Sequence, residues 1–266
     1  MSKILILGAT GYLGKHVAYR LVQSGQHTVY GVARSKEKAA QLAQQEIIPV
    51  LCSNPVEDPE PYLSVIRSEN IDIVVDISGA NQDSYSFLHN VKLIGQKRQK
   101  EYECHGVKGP KVGFISCSET WVELTIWPSF VTPLLNAARD GETTSIEIPL
   151  DADARPGLIH VDDVARAFQC SVAKLPCLSG TGVYPVFDLV TSQEGLREIF
   201  ESMAVSWGFK GTVTLKGAGG DKFAKAMSTT FPGSSARAEQ LLGWRPRRLA
   251  GFVKDMNVYA AAFAAQ

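Results

Sequence analysis

Short aliphatic runs alternate with amphipathic stretches through the first 120 or so residues. Lys3–Gly8 (KILILG) is nearly continuous in large aliphatic side chains, the pattern of a strand covered on both faces of a parallel sheet. Lys15–Ser24 follows with Val17, Ala18, Leu21 and Val22 at helical spacing, and Gly25 closes it. The same reading predicts strands over Thr28–Ala33, Ile47–Leu51, Ile71–Ile77 and Lys111–Ser116. It predicts helices over Lys36–Gln45, Pro61–Glu69 and Ser84 to about Tyr102, the last with Leu88, Val91 and Ile94 on one face. Pro49 assigns the third strand to a sheet edge, because proline offers no donor to a ladder. Alternation of this kind specifies a parallel sheet with right-handed crossovers. After residue 120 the pattern becomes irregular. Residues 131–140 and 162–174 read as helices and 146–149 as a strand. Roughly the last eighty residues divide among short strands and two or three helices.

Between the first strand and the first helix stands Gly8-Ala9-Thr10-Gly11-Tyr12-Leu13-Gly14. Gly8 permits the tight turn out of the strand, Gly11 lets backbone approach a pyrophosphate, and Gly14 lets the helix pack closely. The helix N-terminus presents N–H groups and a positive dipole end to an anion. A glycine loop flanked by the correct strand and helix marks a dinucleotide site far better than the spacing alone. Thr10, Tyr12 and Leu13 join the glycines as candidate cofactor contacts. NAD sites usually place a carboxylate after the second strand; here the chain reads Val32-Ala33-Arg34-Ser35-Lys36. Arg34, with Ser35, suits a 2′-phosphate, which favours NADP over NAD. Gly79, after the fourth strand beside Ser78 and Ala80, allows close approach to the same cofactor.

These features define an α/β, Rossmann-type, doubly wound parallel sheet with a smaller C-terminal substrate region. The expected division is 1–140 for dinucleotide binding and 141–266 for substrate, the second partly interleaved with the first. With 27 basic and 27 acidic residues the formal net charge is zero, which offers no electrostatic footprint for nucleic acid. Five cysteines without a Cys-x-x-Cys pair, and five scattered histidines, argue against a disulfide framework and against a metal site. No apolar run reaches membrane-spanning length. The start, Met1-Ser2-Lys3, runs directly into a strand, which gives the expectation of a cytoplasmic protein without a signal peptide.

Three later segments join the glycine loop and Val-Ala-Arg-Ser in a resemblance. They are Phe114–Ser118 (FISCS), Leu158–Ala167 (LIHVDDVARA) and Ser235–Pro246 (SARAEQLLGWRP). Together they resemble the extended short-chain dehydrogenase/reductase family, the NAD(P)-dependent epimerase/dehydratase group. The resemblance implies an enzyme that moves hydride between nicotinamide and a small carbonyl or hydroxyl compound. It implies a catalytic serine at Ser118, two residues after Ser116, orienting the substrate oxygen. It also implies a homodimer through helices flanking the fifth strand. The group's general acid/base is a Tyr-x-x-x-Lys pair, in which the lysine lowers the tyrosine pKa. Here the chain departs: none of its eight tyrosines has a lysine four residues on. The group's catalytic helix and sixth strand have no counterpart between Trp121 and Trp127, through natural divergence or through loss of a segment.

Three readings of function follow. The first is an NADP-dependent oxidoreductase or epimerase-type enzyme on a small carbonyl or hydroxyl compound. The second is a catalytically impaired NAD(P)-binding sensor or scaffold; a non-redox enzyme reusing the pocket stands third. Asp162 reads as the N-cap of its helix. His160 reads as a packed strand-end residue ahead of an acid/base, Cys117 as a small buried side chain, and Trp121 and Trp127 as core or pocket rim.

Overall fold

The computed structural model describes residues 1–79, 83–117, 128–178, 182 and 185–265. Two compact units are built from alternating pieces of chain: Met1–Thr120 with Val164–Pro185, and Trp121–Asp163 with Val186–Gln266.

The first unit holds a five-stranded sheet, β1 (Ser2–Leu7), β2 (His27–Ala33), β3 (Ile48–Leu51), β4 (Ile73–Asp76) and β5 (Gly113–Ser116), ordered β3-β2-β1-β4-β5. Every pairing is parallel. In the central strand Ile4, Leu5, Ile6 and Leu7 are all buried, because the pleat sends alternate side chains to opposite covered faces. Leu5 and Leu7 join a core with Tyr62 and Ile66 of α3 (Glu60–Ser68) and with Phe87 and Val91 of α4 (Ser84–Glu103). On the other face a Cβ at Gly31 would meet Ala9, Leu42 of α2 (Lys36–Ala43) and Ile47. β3 is an edge strand, as Pro49 requires, with Ile48 and Leu51 exposed.

Two expectations need correction here. The inward stripe of α4 is Phe87, Val91, Gly95 and Arg98, while Leu88 is exposed. Arg98 holds a core position because its guanidinium donates to the Ile66 and Ile71 carbonyls, both at 2.8 Å, which satisfies the end of α3. The first helix, α1 (Tyr12–Gln23), begins a turn earlier than its apolar spacing suggests, so half of the glycine loop is helical.

In the second unit, β6 (Ser145–Ile148) pairs in parallel with β9 (Thr212–Leu215), and β7 (Gly157–Leu158) pairs antiparallel with β8 (Ser192–Gln193). Its core gathers Phe130, Val131 and Leu134 of α5 (Pro128–Asp140) with Leu196, Ile199, Phe200 and Met203 of α7 (Leu196–Ser206). The C-terminal stretch contains four described helices rather than two or three: α7, α8 (Lys222–Met227), α9 (Ala236–Leu242) and α10 (Met256–Ala264). The helix α6 (Val161–Leu178) carries the chain from the second unit back into the first. Among the described helices none is long and apolar enough to cross a membrane.

Candidate functional site

In the first unit a cleft enclosing about 690 Å³ of open space runs along the carboxyl ends of the strands. Leu7, Gly8, Thr10, Gly11, Val32, Arg34, Lys38, Pro55, Ile77, Ser78 and Phe87 line it. The place is where ligands bind in open α/β sheets.

The glycine loop is shaped by close backbone approach. Gly8 has φ +84°, and a Cβ there would come within 2.5 Å of the Ile77 carbonyl oxygen. Both conditions exclude a side chain: the left-handed region penalises it, and the end of β4 occupies its space. Gly11 donates its N–H to the Gly8 carbonyl at 2.9 Å, closing the turn, and takes the N-cap position of α1 with no side-chain cap. At Gly14 a Cβ would collide with the Gly8 carbonyl. This glycine therefore seats the first turn of α1 on the loop itself.

Of the residues singled out in the sequence, Gly8, Thr10, Gly11 and Arg34 line the cleft together. The others serve around it. Leu13 is buried beneath the loop, and Tyr12 lies over His16 with ring centroids 5.2 Å apart. Ser35 is the N-cap of α2, its hydroxyl accepting from the Lys38 N–H at 3.3 Å. Gly79 has φ +69° with open space around it. Ser118, with Ala80, Trp121 and Trp127, lies outside the described residues.

Sequence reasoning missed Lys38, which shares the cleft wall with Arg34. The signal was present: Ser35 caps α2, so a residue three positions on falls in the first helical turn and faces back toward the end of β2. It also missed Asp76. This carboxylate ends β4, is 2% exposed, and accepts from the Ser78 N–H at 3.1 Å, the Ser78 hydroxyl at 2.7 Å and the Ser84 hydroxyl at 3.1 Å. It fixes the backbone that passes the cleft after β4 and ties it to the start of α4. Glu37 does not line the cleft. A hydrogen bond from Ser35 and one from its own backbone hold its carboxyl below the usual range.

Asp162 does not cap α6; the cap is His160. The His160 Nδ1 accepts the Asp162 N–H at 3.1 Å, the role an N-cap side chain plays for the second helical residue. Asp163 is the buried carboxylate of the pair, 2% exposed. It accepts from the Arg247 N–H at 2.9 Å and the Arg248 N–H at 2.8 Å, while its own carbonyl accepts from the Trp244 indole at 2.9 Å. Two of the segments that carry the resemblance are thus joined through Asp163 and Trp244. None of the five cysteines is in a disulfide, and no cluster of metal-ligating side chains occurs among the described residues.

Residues 4–100 match the model of the NAD dependent epimerase/dehydratase family. No curated protein matches the chain by sequence. Solved structures with the same fold include the UDP-Glc/GlcNAc 4-epimerase of Campylobacter jejuni, 16% identical with TM-score 0.61, covering 98% of this chain and 100% of that one. UDP-glucose-4-epimerase of Stenotrophomonas maltophila, solved with bound NAD and formylated UDP-arabinopyranose, is 14% identical with TM-score 0.67, covering 100% and 99%. The dTDP-glucose 4,6-dehydratase of Bacillus anthracis, in complex with NAD, is 10% identical with TM-score 0.64, covering 100% and 97%. Residues 4–100 are thus similar in sequence to the NAD dependent epimerase/dehydratase family, and nearly the whole chain shares its fold with these solved structures.

Proposed function

We propose that the protein is an NADP-dependent oxidoreductase or epimerase-type enzyme acting on a small carbonyl or hydroxyl compound. The observation that carries the cofactor choice is the wall of the cleft near β2, where Arg34 and Lys38 stand together and, among the described residues, no carboxylate lines the cleft. Two cations suit a 2′-phosphate, and a guanidinium also stacks on adenine. The residues present fit a dinucleotide. A Cβ at Gly8 or Gly14 would fill the loop, and the N-terminus of α1 at Gly11 has no side-chain cap to compete with a pyrophosphate. When bound, the nicotinamide supplies hydride chemistry. Gly8, Thr10 and Gly11 hold the pyrophosphate, Arg34 and Lys38 the phosphate on the adenosine side, and Ser78 and Gly79 the passage after β4. Ser118 keeps its assignment as the group that orients the substrate oxygen, with substrate recognition in the 141–266 portion.

The deciding experiment is equilibrium binding of NADPH and NADH, followed by nicotinamide fluorescence. Tight NADPH binding with weak NADH binding is expected. In Arg34→Ala, NADPH affinity falls by about tenfold or more while NADH is little changed, the loss of one charge-assisted contact. Folded protein that binds neither nucleotide, or binds both equally, refutes the assignment. A second reading, a cofactor-binding sensor without turnover, is favoured by the lack of any Tyr-x-x-x-Lys in the sequence. NADPH oxidation against a panel of aldehydes and ketones separates the two readings: binding without turnover selects the sensor.

A further inference from the structure

Away from the nucleotide cleft, the first unit places two arginines beside the same cysteine, Cys170. Arg20 lies on α1 and Arg166 on α6. The Arg20 Nε and the Arg166 Nη1 are both buried, and neither has a hydrogen-bond partner. A buried N–H of a charged group left without an acceptor is costly, so such nitrogens are normally satisfied by protein, water or ligand. Arg166, Cys170 and Lys174 stand four residues apart along α6, which places them on one face. Burial raises the Cys170 thiol, while the charges of Arg166, Arg20 and Lys174 pull the other way. All three cations are therefore near the same sulfur. Neither α1 (YLGKHVAYRLVQ) nor α6 from Val164 onward (VARAFQCSVAKLPCL) contains a carboxylate.

We propose that Arg20 and Arg166, with Lys174, form a binding site for a small phosphate-class oxyanion seated beside Cys170. Planar guanidinium groups from two helices supply N–H donors from two directions, which suits a tetrahedral oxyanion, and Lys174 adds charge without demanding geometry. The anion gives the two buried nitrogens their acceptors and neutralises a convergence of like charge.

The neighbouring thiol reports occupancy. The test labels the full chain with N-ethylmaleimide across a titration of inorganic phosphate at constant ionic strength, and mass spectrometry reads the modification of each cysteine peptide. Labelling of Cys170 is expected to slow as phosphate reaches millimolar levels, while the exposed Cys104 reacts at an unchanged rate. In Arg20→Gln and in Arg166→Gln the half-protecting concentration rises by about tenfold, equivalent to one charge-assisted contact. Arg166→Lys keeps the charge, loses the fork, and shifts it less. The proposal falls if phosphate gives no protection, if chloride protects equally well, or if protection survives the double Gln variant. If Cys170 labels too slowly to follow, the heat of phosphate binding is compared between wild type and the double variant, and equal heats overturn the site. If a Gln variant unfolds, Arg166→Lys alone decides: an unaltered phosphate dependence overturns the site.

Discussion

Replacing Asp163 by asparagine tests whether one buried carboxylate joins the start of α6 to the segment after α9. Both of its oxygens are occupied, one by the Arg247 N–H at 2.9 Å and one by the Arg248 N–H at 2.8 Å. Asparagine keeps the shape and one acceptor but turns an NH₂ toward the other backbone donor. One charge-assisted hydrogen bond is lost, about 1.5–3 kcal/mol, and a backbone N–H loses its acceptor, about 1–3 kcal/mol. Removing a charge from a site 2% exposed recovers part of that through the desolvation no longer incurred. A net loss of about 2–3 kcal/mol remains, which for a chain of this size lowers Tm by about 5–10 °C. Urea and thermal unfolding, followed by tryptophan fluorescence, measure it. Trp244 is fully buried and donates to the Asp163 carbonyl at 2.9 Å, so its emission reports loosening of the same segment. Asp162→Asn is the control. Its carboxylate is 48% exposed and only 3.9 Å from Arg248, and it stays within about 0.5 kcal/mol of wild type. Equal effects of the two substitutions would refute the clamp, as would an Asp163→Asn protein as stable as wild type.

Three further outcomes follow from named contacts. Gly8→Ala places a Cβ at φ +84° against the Ile77 carbonyl; backbone strain alone costs about 1–2 kcal/mol. Calorimetry should show a lowered Tm and fluorescence titration a loss of nucleotide binding, whereas unchanged affinity would remove the loop from the site. Arg98→Met removes the guanidinium donors from the Ile66 and Ile71 carbonyls, of which Ile66 keeps the Ile71 N–H, and costs about 2–4 kcal/mol by denaturant unfolding; a neutral effect would mean water replaces the guanidinium freely. His27, held neutral by burial and then by the N-terminal ammonium, has its pKa lowered from the ordinary 6.5. The unfolded chain takes up that proton first. Stability therefore falls as pH drops below 6.5 toward the lowered folded value, and is fully regained above 6.5. The Tm of His27→Gln falls less than that of wild type over the same interval, and parallel profiles would contradict the assignment.

What could be read from the sequence follows from how each element buries its side chains. β1 and β4 are covered on both faces, so their near-continuous aliphatic runs signal strand and position at once. The glycine loop is legible because Gly8 and Gly14 meet backbone constraints that no other residue satisfies. α4 is legible as a helix but misread in orientation. Gly95 and Arg98 take inward positions that hydrophobic spacing assigns to solvent, and only the carbonyls of Ile66 and Ile71, distant in sequence, account for the arginine. α8 and α9, of six and seven residues, are too short to complete two turns of pattern. The clearest limit is Asp162 beside Asp163. The two share composition and context, yet the helix rotates one toward solvent and the other onto the backbone of Arg247 and Arg248. A difference of one residue, about 100° around a helix, decides which carboxylate supports the fold. That angle is set by His160 capping the first turn rather than Asp162. The sequence places both acids at the start of the helix, and the choice between them is made by long-range partners that local periodicity does not encode.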